Sequence, residues 1–473
     1  MRLKNIILVL FALFVFHIGS AQSSDDLLRL LINKGFLNQK EVDSIRAASV
    51  LTKKPIENNK NFTLDLQIKN RLEYRDGYGN IPDINTNPAA FVNQRSRLNF
   101  NYQDAEKLNA VLSIQDARIW GSKDPRGLNG TIQLFEGYIE PYLTKNLSVR
   151  VGRQRIIYDN QRLFAENEWR VNAAAHDAIN FRYQSPTFTT ELVAAFNQTN
   201  ERLFGTDFTP TELSNVPSSS TATNWTNYKA LAVHYLKYKF NKNTIVTTIT
   251  AADAYQDAII KEQNYWRLTY GGRLEYVTNH WYATVSGYVQ SGRNNSGKTI
   301  KAWYVQPEIK YTASNQYIFR LGAEIFSGNN GTVGNIDHNF VPLYGVAHRF
   351  NGSLDFFTRF PSDLNNAGLV NPYFFITKSI GKKVEISSNN HLFYTQQNFL
   401  TATNSKLTKF MGYEHDLLVT FKPNTYTAIE GGFSVAVPTN TLTAIKKSGD
   451  ANQIANWAYI QVKFTPTLFK NSF

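Results

Sequence analysis

The chain of 473 residues contains no cysteine and only two methionines. No disulfide can staple it and no thiolate can act as nucleophile or metal ligand, so a large self-sufficient fold must supply the stability. Beyond the N-terminus it also lacks any run of about 18 apolar residues. That excludes helical membrane spans but not strands, whose alternating faces average out to the mildly polar mean hydropathy of −0.35. G-x-S-x-G and H-E-x-x-H are both absent. The adjacent pair His176-Asp177 would point to opposite sides of a strand, and His415 and Ser434 share a neighbourhood only loosely. No catalytic, cofactor or metal set is predicted, and the chain is not read as an enzyme.

Acidic residues are short too, 37 against 50 Lys and Arg, for a formal charge of +13. With an export signal, that balance points to lipid headgroups, acidic polysaccharide or anionic solutes and away from nucleic acid. The signal is the opening MRLKNIILVLFALFVFHIGSAQ, with Arg2 and Lys4 ahead of an apolar run and small residues at its end, so residues 1–21 read as a signal peptide. Residues 22–61 carry the one helical pattern, Leu27, Leu28, Leu31 and Ile32, then a capping box from Asn38 to Glu41 and a polar linker. A periplasmic docking element and a frayed leader fit this segment equally.

From Phe62 the period becomes two. Phe62, Leu64, Leu66 and Ile68 alternate with Asp65, Gln67 and Lys69, and Trp266, Leu268, Tyr270 and Leu274 alternate with Arg267 and Arg273. The pattern returns about eighteen times, with every second connection tiny and those between long and polar, notably 197–226 and 329–368. An even strand count with that asymmetry predicts an all-β transmembrane fold, a closed antiparallel outer-membrane barrel over 62–473 with a water-filled lumen. Sandwiches and propellers would show shorter strands and fewer charges at alternating positions.

Arginine is densest between Asn146 and Gln184. Facing lipid at mid-membrane each charge costs about 2–4 kcal/mol; facing a wet lumen it costs little. Arg71, Arg75, Arg95, Arg97, Arg118, Arg153, Arg155, Arg162, Arg170, Arg182, Arg267, Arg273 and Arg320 are therefore expected to line the pore, sharing it with Asp116, Glu136, Glu140 and Glu275. Around Gly152, where Val149, Val151, Arg153 and Arg155 share one parity, a bulge or a charged outer rim is required. Gly292 to Thr299 matches the P-loop pattern in every specified position, but a strand-like run follows it where phosphate binding needs a helix, so it reads as a hairpin loop.

Several of these residues carry a resemblance. Gly152-Arg153-Gln154, Tyr158, Arg162-Leu163, Trp169-Arg170 and His176-Asp177, with Gln115 to Gly121 and the stretch through His348, Gly352 and Asp355, resemble the alginate-export family of Gram-negative outer-membrane barrels. The sequence departs where that family has Phe-Asp-Gly, showing His176-Asp177-Ala178. The resemblance implies a monomeric, eighteen-stranded, anion-selective channel narrowed by inserted loops. Expected partners are outer-membrane lipid and lipopolysaccharide, the barrel-assembly machinery, and an anionic solute or acidic polysaccharide. A general non-selective porin, a barrel-embedded hydrolase and a structural or adhesive barrel are the alternatives.

Overall fold

The computed structural model describes residues 60–105, 107–122, 132–208, 228–257, 259–313, 316–330, 334–399 and 406–473. The expected signal peptide, nearly all of the helical segment at 22–61 and most of the 197–226 connection lie outside them.

Eighteen antiparallel strands close into a barrel: β1 (Lys60–Asp76), β2 (Ala89–Asp104), β3 (Leu108–Ile119), β4 (Gln133–Pro141), β5 (Leu147–Gln154), β6 (His176–Gln184), β7 (Phe188–Phe196), β8 (Ala230–Lys239), β9 (Thr244–Gln256), β10 (Asn264–Val277), β11 (Trp281–Gly292), β12 (Ala302–Thr312), β13 (Tyr317–Phe326), β14 (Leu369–Ile380), β15 (Val384–Thr395), β16 (Phe410–Asn424), β17 (Thr427–Pro438) and β18 (Ala455–Phe464). Each strand pairs with its neighbours in sequence, and β1 closes the ring on β18 from Ile68↔Phe464 to Asp76↔Asn456. A nineteenth strand, β19 (Thr467–Ser472), continues along the same edge of β1 after a break at Pro466, which has no N–H to give to a ladder. Lys60 and Phe473 exchange backbone bonds of 3.2 and 2.9 Å, so the residues after Phe464 lengthen the closing strand.

The faces follow the alternation. On β10, Trp266, Leu268, Tyr270, Leu274 and Tyr276 stand outward and exposed, while Arg267, Thr269 and Arg273 are buried inside. One end of the barrel carries only short turns, such as 278–280 and 425–426. The other carries the long connections, the outer end in bacterial barrels.

Two long loops, 155–175 and 327–368, turn into the barrel and join through a parallel bridge between Phe164 and Tyr344. Their Leu163, Leu354, Phe356, Phe357 and Phe360 pack against inward Val193, Val233, Ile249, Tyr304, Phe326 and Phe393 in one apolar cluster. A large side chain fully buried in this way contributes about 1.5–3 kcal/mol, so the plug is a packed core and not a hinged lid. A short helix, α1 (Asn440–Lys446), adds Leu442 and Ile445 to it. Neither α1 nor β19 is visible as a period in the sequence.

Candidate functional site

Around the apolar core, other inward positions are polar, and the loops lay charged groups against them. On the β1–β2 wall, Glu73 accepts from Arg71 and Arg75, each at 2.8 Å, and from Asn93 at 2.6 Å. Glu168, from the 155–175 loop, bridges Arg97 at 2.6 Å and Arg95. Burial alone would raise the Glu168 carboxyl, but the Arg95 and Arg97 guanidiniums beside it hold it down to about 2.

The next residue, Trp169, has the Arg71 guanidinium 4.0 Å from its ring centroid and the His348 ring stacked 4.3 Å away at 6°. That leaves neither face free. His348 Nδ1 lies 2.8 Å from Asp355, which also accepts from the Tyr78 hydroxyl. Trp169, His348 and Asp355 therefore form one clamp that fixes both loops to the wall. Asp355 also lies close enough to act electrostatically on Arg170. Gly352, at φ +83°, lies where a Cβ would meet the Glu414 carboxylate at 2.5 Å, so only glycine fits this contact.

The β4–β7 wall repeats the pairing. Glu140 binds Arg150 at 2.8 Å and Arg182 at 2.6 Å, and Arg182 reaches Glu191 at 3.1 Å. Arg155 folds inward between Glu136 at 2.9 Å and Glu166 at 2.5 Å. Gln154 holds the end of β5 to β6 through the Ala178 carbonyl at 2.8 Å. Gly152, at φ +122°, sits where a Cβ would lie 2.3 Å from the Gly137 carbonyl, so the bulge demands glycine.

On the β9–β13 wall, Arg267 forks onto Asp253 at 3.0 and 2.6 Å. Arg273 contacts Ser286 at 3.0 Å and Glu275 at 3.6 Å. Arg320 binds Glu308 at 2.6 Å.

Three expected lumen residues, Arg118, Asp116 and Arg153, face outward, and a fourth, Arg162, is sealed away from the lumen. Arg118 and Asp116 pair at 2.6 Å on the outward side of β3, opposite Gln94 and Ser96. Arg153 pairs at 2.9 Å with Asp177, on the outward face that also carries Val151 and Ile179. All four groups lie near the long-loop ends of their strands, where the cost of an outward charge falls to about 0–1 kcal/mol. The mid-membrane penalty that argued for an inward position does not apply there. Arg162 is inside the barrel but sealed from water, 2% exposed, with Glu324 at 2.8 Å and the Val346 carbonyl at 2.6 Å. It anchors the plug to β13.

Arg349 follows His348 on the same loop and forms no ion pair among the described residues. Neither Glu168 nor Asp253 is marked by the strand period, because one is a loop carboxylate and the other sits at a strand end. The Gly292–Thr299 stretch is a hairpin, closed by a bridge from Arg293 to Thr299, with no helix after it. His176 turns inward to Tyr228 at 2.8 Å while Asp177 turns out.

A family model described as alginate export matches residues 60–453. The chain belongs to the alginate-export family. No curated protein sequence matches it. Among solved structures, the chain resembles Pseudomonas aeruginosa OccK9 (OpdG), at 12% identity and TM-score 0.59 over 86% of this chain and 98% of that one. Acinetobacter baumannii OccAB1 matches at 11% and 0.58, over 86% and 97%. The outer membrane protein opdK from Pseudomonas aeruginosa matches at 11% and 0.54, over 86% and 99%. Identities this low show the fold alone. With the family, they make this chain a multi-pass outer-membrane protein and a channel of the export and porin type, a class without enzymes.

Proposed function

We propose that the alginate-export barrel is a passive channel selective for anionic solutes, acidic oligosaccharides or an alginate-like polymer among them. The observation that carries the reading is the β1–β2 wall, where Lys69, Arg71, Arg75, Arg95, Arg97 and the loop's Arg170 outnumber Glu73, Glu168 and Asp355. A guanidinium stays charged at any working pH, and its field in a narrow lumen is screened less than on an open surface. The alternative of a hydrolase on the barrel wall is not favoured, because His415 stands opposite outward Val435 while Ser434 pairs with inward Asp416.

Outer-membrane lipid and lipopolysaccharide against the outward face, the barrel-assembly machinery, and a monomeric state complete the proposal. Purified barrel in a planar bilayer under a salt gradient is expected to show a reversal potential on the anion side, larger at low salt. A potential near zero would identify a general porin, and the selectivity reading would fall.

A further inference from the structure

The short-turn end of the barrel holds a cleft of about 660 Å³ that neither the charged walls nor the plug uses. It lies between the β8–β9 turn, at Lys242 and Asn243, and the β10–β11 turn at 278–280, with Trp281 and Tyr311 beside them. The two turns are tied together. The Val277 N–H donates to the Asn243 carbonyl at 2.9 Å, and the Asn243 side-chain amide donates back to the Val277 carbonyl. Within the second turn, the Trp281 N–H donates to the Thr278 hydroxyl at 2.9 Å. The cleft is therefore shaped by hydrogen-bonded backbone.

Its apolar and polar parts are separate. Trp281 on β11 stands directly opposite Tyr311 on β12, with ring centroids 4.6 Å apart, and both are outward and well exposed, at 47% and 37%. Aromatic rings at the ends of outward rows mark the depth of lipid headgroups. At the rim, Lys242 forms no ion pair among the described residues, and no acidic side chain lines the cleft. His280 adds a group of the opposite kind. Its Nδ1 lies 2.9 Å from the Thr312 carbonyl, which can only accept, so Nδ1 carries the proton and Nε2 of the neutral ring accepts. One cation and one acceptor beside two interfacial rings match a zwitterion that carries apolar tails.

We infer that this cleft holds the headgroup of a phospholipid with a primary ammonium, its phosphate on Lys242, its ammonium on His280 Nε2 and its chains over Trp281 and Tyr311. The occupant is a lipid of the leaflet on the short-turn side, and the inference does not depend on which solute the channel passes. A quaternary ammonium has no N–H to give to Nε2, and a glycerol headgroup has no cation to place there. Phosphatidylcholine and phosphatidylglycerol therefore each satisfy only part of the site.

The test is native mass spectrometry of the detergent-purified full barrel, titrated with phosphatidylethanolamine, phosphatidylcholine, phosphatidylglycerol or soluble phosphorylethanolamine. The parent is expected to retain phosphatidylethanolamine about tenfold more tightly than the other two lipids. His280→Ala is expected to bring phosphatidylethanolamine down to the level of phosphatidylcholine, and Lys242→Ala to weaken it about tenfold. Lys242→Arg keeps the charge and is expected to bind within about twofold of the parent. Equal retention of the three lipids by the parent would identify an unselective aromatic girdle and overturn the inference. Unchanged phosphatidylethanolamine binding in Lys242→Ala or His280→Ala overturns it, as does a tenfold loss in Lys242→Arg. Phosphorylethanolamine held as tightly as the lipid would assign the cleft to a soluble ligand, and would overturn it as well.

Discussion

Glu168 joins a loop to the wall through charge, because its one carboxylate holds two guanidiniums of β2. Its folded pKa of about 2 lies below the ordinary 4.5. A depressed carboxyl contributes docking stability that is fully present above the ordinary value and is lost as pH falls through the folded one. Loop docking, followed by intrinsic tryptophan fluorescence, is therefore expected to hold down to about pH 4 and to weaken toward pH 2. Glu168→Gln should abolish that acid transition and increase anion preference at neutral pH; an unchanged acid limb would show that another group controls the loop. Arg162 gives a second prediction. Truncating it to Ala strands Glu324 in the core and should cost roughly 3–5 kcal/mol, read as a lower unfolding temperature of the barrel band, whereas Arg153→Ala breaks an exposed pair and should cost under about 1 kcal/mol. Residue roles were legible only so far. Parity predicts inward and outward positions for Arg267, Arg273 and Arg320 from the sequence, but depth along the strand decides whether an outward charge is tolerable. Depth is what separates Arg118 and Arg153 from the rest.

At the scale of elements, the strands were legible because each has one lipid face. The inner faces were not, because they serve two environments. On β8, Leu231, Val233 and Tyr235 face inward and are as apolar as an outward row, since they pack on the plug. The plug itself has no period: its Phe356, Phe357 and Phe360 sit in irregular chain, and only the fold brings them to Tyr304 and Phe393. The closing strand gives a prediction at this scale. Ending the chain after Phe464 removes β19 and leaves Asn61 to Asp65 of β1 without a partner on that edge. The truncated barrel should assemble in lower yield and lose its heat-modifiable form at lower temperature than the full chain. If yield and stability are unchanged, β19 is dispensable and Phe464 suffices as the end of the wall.

For the whole molecule, the turn asymmetry places the hairpin at Asn295-Ser296 and the turn at Asn241-Lys242 on opposite ends. An epitope tag at the first should be reached by antibody on intact cells and one at the second only after permeabilisation; the reverse result would invert the barrel in the membrane. The seam between the first and last strands also bears on how the molecule forms. All other pairings among the barrel strands join sequence neighbours and can form hairpin by hairpin, at small entropic cost. The pairing of β1 with β18 and β19 spans almost the whole described chain and can form only when the last residues have arrived. Until then the growing sheet has two open edges, each a row of unpaired backbone groups able to recruit another chain. Ring closure is thus the slow, concentration-sensitive event in the biogenesis of this barrel, and sequestering the early β1 edge is the task its assembly has to accomplish.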